Sequence, residues 1–261
     1  RLRKRLSQAS DVFLQHAGIR LEIVAIERWD SDDQTRDFMK TLKEFEREVD
    51  PAPAQVAIGF SSQYRVERGR FHLGGTRGTL HSHILIKERA PNVLETERCE
   101  LLVHELGHLL GATHSAESYS VMRPVLNGGQ QRRVGATIKF DPANALVMAM
   151  LGDEMRRRPV ASLEDLTPAT RRRMSEIYAA LLPKLPSDPA TAHYQKLVAR
   201  ASIDGLARDV RTISDRILQV AREEAGAATS KEGDALLERY VREAARAAQG
   251  LQSENGPRAL V

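Results

Sequence analysis

The 261-residue sequence predicts an α+β fold over residues 1–158 and an all-α region over 159–261. Three observations predict it. Short β-branched runs alternate with helical patterns through the first 90 residues. A stretch of helix formers from Glu95 leads into a dense group of His residues around Gly111. Beyond Gly152 the composition turns rich in Ala, Arg and Leu, punctuated by Pro159, Pro168, Pro183, Pro186 and Pro189, with no further strand pattern.

The elements follow in order. Residues 9–18 have helical character and stop at Gly18. Residues 21–29 are rich in β-branched side chains and are expected to form a strand. Residues 33–49 carry Phe38, Leu42, Phe45 and Val49 at helical spacing and end before Pro51 and Pro53. A strand over 54–60 follows, so the strand–helix–strand order predicts a parallel pair joined by a helical crossover. Two short strands are expected at 71–76 and 81–87, around the bend from Gly74 to Gly78. A long connection from Arg123 to Lys139 turns at Asn127-Gly128-Gly129. The helix over 138–152 has Asp141 as its expected N-cap and Pro142 at its first position. Further helices are expected at 169–182, 190–225 and 233–249, the second interrupted near 201–205.

The chemistry is concentrated in one run, His104-Glu105-Leu106-Gly107-His108-Leu109-Leu110-Gly111-Ala112-Thr113-His114. On a helix His104 and His108 lie one turn apart on one face, so both imidazoles can reach one Zn²⁺. Glu105 is rotated by about 100° from His104, beside the metal rather than toward it, which suits a base acting on water. Gly111 accepts the left-handed conformation that ends a helix, and a turn there would return His114 to the metal. Three protein ligands leave a fourth position for water, the pattern of a catalytic zinc site.

With Ser120-Val121-Met122-Arg123-Pro124 downstream, this run resembles the metzincin zinc peptidases, and its Met-x-Pro spacing and Ser115 resemble the matrixin form. The resemblance spans about 9–152. It implies a metzincin-like catalytic domain: a twisted mixed sheet with an antiparallel edge strand, an active-site helix, a Met-turn and a C-terminal helix. It implies one catalytic zinc held by His104, His108 and His114, Glu105 as general base, and Met122 as a hydrophobic floor. The strand near Gly74, Gly75 and Thr76 would hold substrate backbone as an added strand, with an ordinary Gly-rich turn as the equal alternative. The segment after the Met-turn, beginning at Pro124, would wall the pocket for the side chain after the cleaved bond. The sequence departs from matrixins at Arg123, where they usually carry Tyr, and no motif supports a second zinc or a calcium site. His72, His81 and His83 are read as polar residues on a half-exposed strand.

The expected function is a zinc-dependent endopeptidase acting on polypeptides; the alternative is a catalytically silent scaffold whose helical C-terminal region binds a protein partner. The net charge of +4 is small, and the clusters Arg156–Arg158 and Arg171–Arg173 are short, so they read as solvated helix faces rather than a nucleic-acid footprint. No apolar run is long enough to span a membrane. The single cysteine, Cys99, reads as a small core residue, and His193 as structural. No signal peptide is present, and family habit alone points to a secreted or extracytoplasmic location.

Overall fold

The computed structural model describes residues 1–32, 34–62, 74–88, 93–124, 137–224 and Arg242. It is a mixed α+β fold. In chain order it contains α1 (Leu2–Ala17), α2 (Phe38–Glu48), β1 (Ala57–Ser61), β2 (Gly74–Thr76), β3 (His83–Lys87), α3 (Glu95–Leu109), α4 (Pro142–Arg157), α5 (Pro168–Leu181) and α6 (Pro189–Glu224). Single 3-10 turns at Leu163–Asp165 and Leu182–Lys184 flank α5. The chain forms two compact units, Arg1–Val198 and Ala199–Val261.

The sheet has the order β1-β3-β2, with β1 parallel to β3 and β2 antiparallel at the edge. The parallel pair is therefore not the expected one. Residues 21–29 form no strand, because neither sheet edge takes them as a ladder partner. The N–H of Leu21 donates instead to Ser10 Oγ at 2.9 Å, and Val24 and Ile26 face solvent. The helix expected from 33 begins at Phe38. Asp32 closes a local turn on Gln34 and Thr35, and Asp37 caps the helix by accepting from the Lys40 N–H. No break occurs at 201–205: α6 runs through Gly205. The helix expected at 233–249, apart from Arg242, the turn at 127–129 and His72 lie outside the described residues.

β3 is the centre of the core, with Ile84, Leu85 and Ile86 all buried. On one face Leu85 packs with Leu42 of α2, and a Cβ at Gly59 would lie 3.0 Å from both Leu85 and Phe45. By strand alternation Ile84, Ile86 and Phe60 point to the other face. There the guanidinium of Arg5 in α1 lies 5.7 Å over the Phe60 ring. Arg5 is itself buried and joins Glu88, past the end of β3, to Glu95 at the start of α3. That places α1 and the start of α3 on one side of the sheet.

α4 forms as expected, with Asp141 accepting from the Asn144 N–H and Pro142 at the first position. Its packing needs a small residue, since a Cβ at Gly152 would meet Ile19 at 2.8 Å. Arg171 corrects the solvated reading of its cluster. It is buried, and its guanidinium donates to the carbonyls of Glu164 and Leu166 beside the 3-10 turn. His83 is likewise a core residue, with its ring nitrogens bonded to Ser82 Oγ and the Val49 carbonyl at 2.9 and 2.8 Å. Cys99 is buried as expected, and burial pushes its thiol up to about 11.

Glu154 joins α4 to α5. Burial opposes its charge, but hydrogen bonds from Thr167, Thr170 and Arg158 bring its carboxyl down to about 2. A depressed carboxyl stabilises the fold fully above its ordinary value of 4.5 and loses that contribution as pH falls toward about 2. Glu154→Gln is therefore expected to flatten the acid limb of stability. In urea unfolding at pH values stepped across that window, the wild type should lose about 2–3 kcal/mol more than the variant.

Candidate metal centre

The site is built on the last turns of α3 and the loop that leaves it. The helix ends at Leu110, and Gly111 follows with φ 86°. The Gly111 N–H donates to the His108 carbonyl at 3.1 Å and the Ala112 N–H to the Gly107 carbonyl at 2.8 Å, the paired bonds of a Schellman cap. A side chain at Gly111 would be strained twice, by its φ and by Val147 Cγ1 only 3.0 Å from the added Cβ. The cap turns the chain so that His114 faces the helix it has just left.

His104, His108 and His114 come together, each offering a ring nitrogen within 4.8 Å of the others. His104 and His108 are 6% and 8% exposed, and Glu105 is 5% exposed. Each imidazole has an acceptor at Nδ1: the Val121 carbonyl at 2.7 Å for His104, the Ala112 carbonyl at 2.9 Å for His108, and Asp188 Oδ2 at 3.0 Å for His114. A carbonyl or carboxylate oxygen only accepts, so Nδ1 carries a proton in each ring, and in a neutral ring Nε2 then keeps its lone pair. Burial holds His104 down at about 4, helped by His114 and Arg123, and holds His108 well below its ordinary range, helped by His104 and His114. These two rings are neutral near pH 7.

The consequence is an arrangement with no donor. The Nε2 atoms of His104 and His108 face each other at 3.1 Å, both as acceptors. Two such nitrogens can share an ion that binds each at about 2.0–2.1 Å. Three imidazoles suit a borderline metal such as zinc. The donor set therefore fits the ion that the motif implies.

The turn over residues 120–123 supplies part of this order. Ser115 N–H donates to the Met122 carbonyl and Val121 N–H to the Lys139 carbonyl, both at 2.8 Å, so the turn is fixed while Val121 O reaches His104. Met122 is fully buried beneath the helix, where a Cβ at Gly107 would lie 2.7 Å from its Sδ. Gly107 is thus a residue the motif leaves as "x" but the packing requires to be small. Asn144 holds the loop that carries His114, accepting from the Thr113 N–H and donating to the Thr113 carbonyl, each at 2.8 Å. Arg123 folds back onto α3, donating to Glu100 Oε1 at 2.8 Å and to the Ser120 carbonyl at 3.0 Å.

Glu105 lies beside the imidazoles, and burial pushes its carboxyl up to about 8. The edge strand β2 passes over it: a Cβ at Gly74 would sit 2.9 Å from Glu105 Cγ. Gly75 and Thr76 continue that strand half-buried, and Pro124 is exposed after the Met-turn. Sequence reasoning missed the contribution of α5 and the start of α6. Tyr178 donates to the Gly111 carbonyl at 2.6 Å, and the Tyr194 ring stacks on His108 with centroids 5.8 Å apart. His193 packs edge-on against Tyr194. Only the lone pattern of Tyr at 178 and 194 could have flagged this region, and nothing in it is specific.

Three imidazoles converging on one point, with a buried carboxyl beside them, on a mixed α+β fold, are the arrangement of a metal-dependent peptidase such as the motif implies. Comparison with protein-family models agrees: the model for metallo-peptidase family M12 matches residues 1–138, just over half of the 261 residues, and the chain belongs to that family. No curated protein and no solved structure gives a match.

Arg123→Ala would leave Glu100 buried without its cation, at an expected cost of about 3 kcal/mol in chemical denaturation. Pairing Arg123→Met with Glu100→Leu should recover most of that loss.

Proposed function

We propose that the chain is a zinc-dependent endopeptidase in which His104, His108 and His114 hold the ion and Glu105 is the general base. The observation that carries this reading is the pair of Nε2 lone pairs facing each other at 3.1 Å beside a buried carboxylate. A bound zinc would supply Lewis acidity, lowering the pKa of a water and polarising a carbonyl oxygen. The protein residues do the rest. The positive charge of a bound ion would favour ionised Glu105 against the desolvation that raises its carboxyl, and the ionised group accepts the water's proton at an Oε and delivers it to the leaving nitrogen. The low exposure of Glu105 and the imidazoles keeps bulk water from competing for that proton. Met122 forms the apolar floor, in the matrixin-like form of the turn.

The substrate is a polypeptide. β2 lies at the sheet edge over Glu105, so an extended chain can pair with Gly74, Gly75 and Thr76 as an added strand. Pro124 opens the wall of the pocket for the side chain after the cleaved bond. Residues 1–158 carry the catalytic groups, and the helical region over 159–261 is the candidate surface for a protein partner. Family habit favours a secreted or extracytoplasmic location. No helix among the described residues is long and apolar enough to cross a membrane.

Glu105→Gln should leave zinc bound and lower hydrolysis of an unstructured protein by at least about a hundredfold. Full activity in that variant contradicts the role of Glu105. Stripping the wild type with a zinc chelator should abolish cleavage of a peptide library, and added zinc should restore it. A zinc-loaded wild type that cleaves nothing across the library favours the scaffold reading.

A further inference from the structure

We propose that Asp188 is a positioning residue of the metal centre, its carboxylate fixing the ring of His114 so that the segment entering α6 completes a site otherwise built on α3 and the Met-turn. The inference rests on the metal reading of the three imidazoles.

His114 needs such a partner more than the other two. His104 and His108 are held by their helix, buried, and oriented by backbone carbonyls no more than 17 residues away. His114 stands on a loop, and its side chain is 20% exposed. Its Nδ1 partner comes from 74 residues further along the chain, where Asp188 Oδ2 lies 3.0 Å away. A ligand histidine is characteristically oriented through its second nitrogen, and a carboxylate there fixes the tautomer and raises the basicity of the ligating nitrogen. A charged acceptor also makes a stronger hydrogen bond than a carbonyl does.

The acceptor is placed by folded structure rather than by a chance surface encounter. Asp188 N–H donates to the Leu185 carbonyl at 3.0 Å, closing the turn that leads into Pro189 and α6. One residue before His114, Thr113 Oγ1 meets Thr191 Oγ1 at 2.9 Å, and both threonines are buried. Tyr178 holds the Gly111 carbonyl, and the Tyr194 hydroxyl lies 3.4 Å from the His108 carbonyl. Four side chains between 178 and 194 therefore grip the loop 108–114, and Asp188 is the one aimed at a ligand. Its side chain is 15% exposed, so the bond is largely shielded from water.

The test uses the full chain with Asp188→Ala, Asp188→Asn and, as a packing control, Thr191→Val. Zinc affinity is measured by competition with a chromophoric chelator, and the visible bands of the cobalt(II)-loaded forms are recorded. Thermal unfolding of the metal-free forms monitors folding. Asp188→Ala is expected to weaken zinc binding about 10–100-fold. Asp188→Asn keeps an acceptor oxygen without the charge, so its loss should be smaller but at least about threefold. Both should shift the cobalt bands, while Thr191→Val, which loosens the same segment without touching an imidazole, should cost less zinc affinity than Asp188→Ala. If Asp188→Ala does not fold, Asp188→Asn carries the test alone. Zinc affinity within about threefold of wild type in the folded Asp188 variants, or an equal loss in Thr191→Val, overturns the proposal. Wild type that takes up no zinc refutes the metal reading instead, so the two failures are distinguishable.

Discussion

Two lone pairs facing each other at 3.1 Å in a buried site are the constraint around which the rest is arranged. Neutral imidazoles in that position repel unless a cation joins them, and burial keeps both from protonating. Each ring must therefore be fixed through its other nitrogen. The acceptors come from three places: the turn over residues 120–123 for His104, the Schellman cap for His108, and the entrance to α6 for His114. The fold around α3 brings these three together.

Much of the polar architecture serves those acceptors. Asp141 caps α4, and its Oδ2 also accepts from Ser120 Oγ at 2.9 Å and from Asn144 Nδ2 at 2.8 Å. Ser120 Oγ in turn accepts from the Met122 N–H at 3.1 Å, while Asn144 holds Thr113. One helix start thereby links the turn over residues 120–123 to the loop that carries His114. These loops are buried, so their backbone groups need internal partners, and side chains from α4 supply them. The Arg123–Glu100 pair ties the same turn to α3 one helical turn before His104.

The legible parts of the sequence were those with local causes. His104 and His108 meet because helical spacing puts them on one face, and Gly111 ends the helix because of its own backbone freedom. The Asp141-Pro142 start of α4 and the edge strand at Gly74–Thr76 were legible for similar reasons. Residues 21–29 had strand composition but no ladder partner, and composition does not carry pairing. Arg171 sat in a run of arginines, and only the fold shows that it turns inward to carbonyls of the preceding 3-10 turn. Asp188, Tyr178 and Tyr194 act on residues about 67 to 86 positions away, and no periodicity reports such contacts. Gly107 was hidden inside the motif, since its role appears only when Met122 is beneath it.

The most direct measurement is X-ray absorption at the zinc edge of the full chain loaded with one equivalent of zinc. Three imidazole ligands are expected, with nitrogen at about 2.0–2.1 Å, no sulfur, and loss of one imidazole in His114→Ala. A sulfur shell, or a spectrum unchanged by His114→Ala, would contradict the three-histidine metal centre.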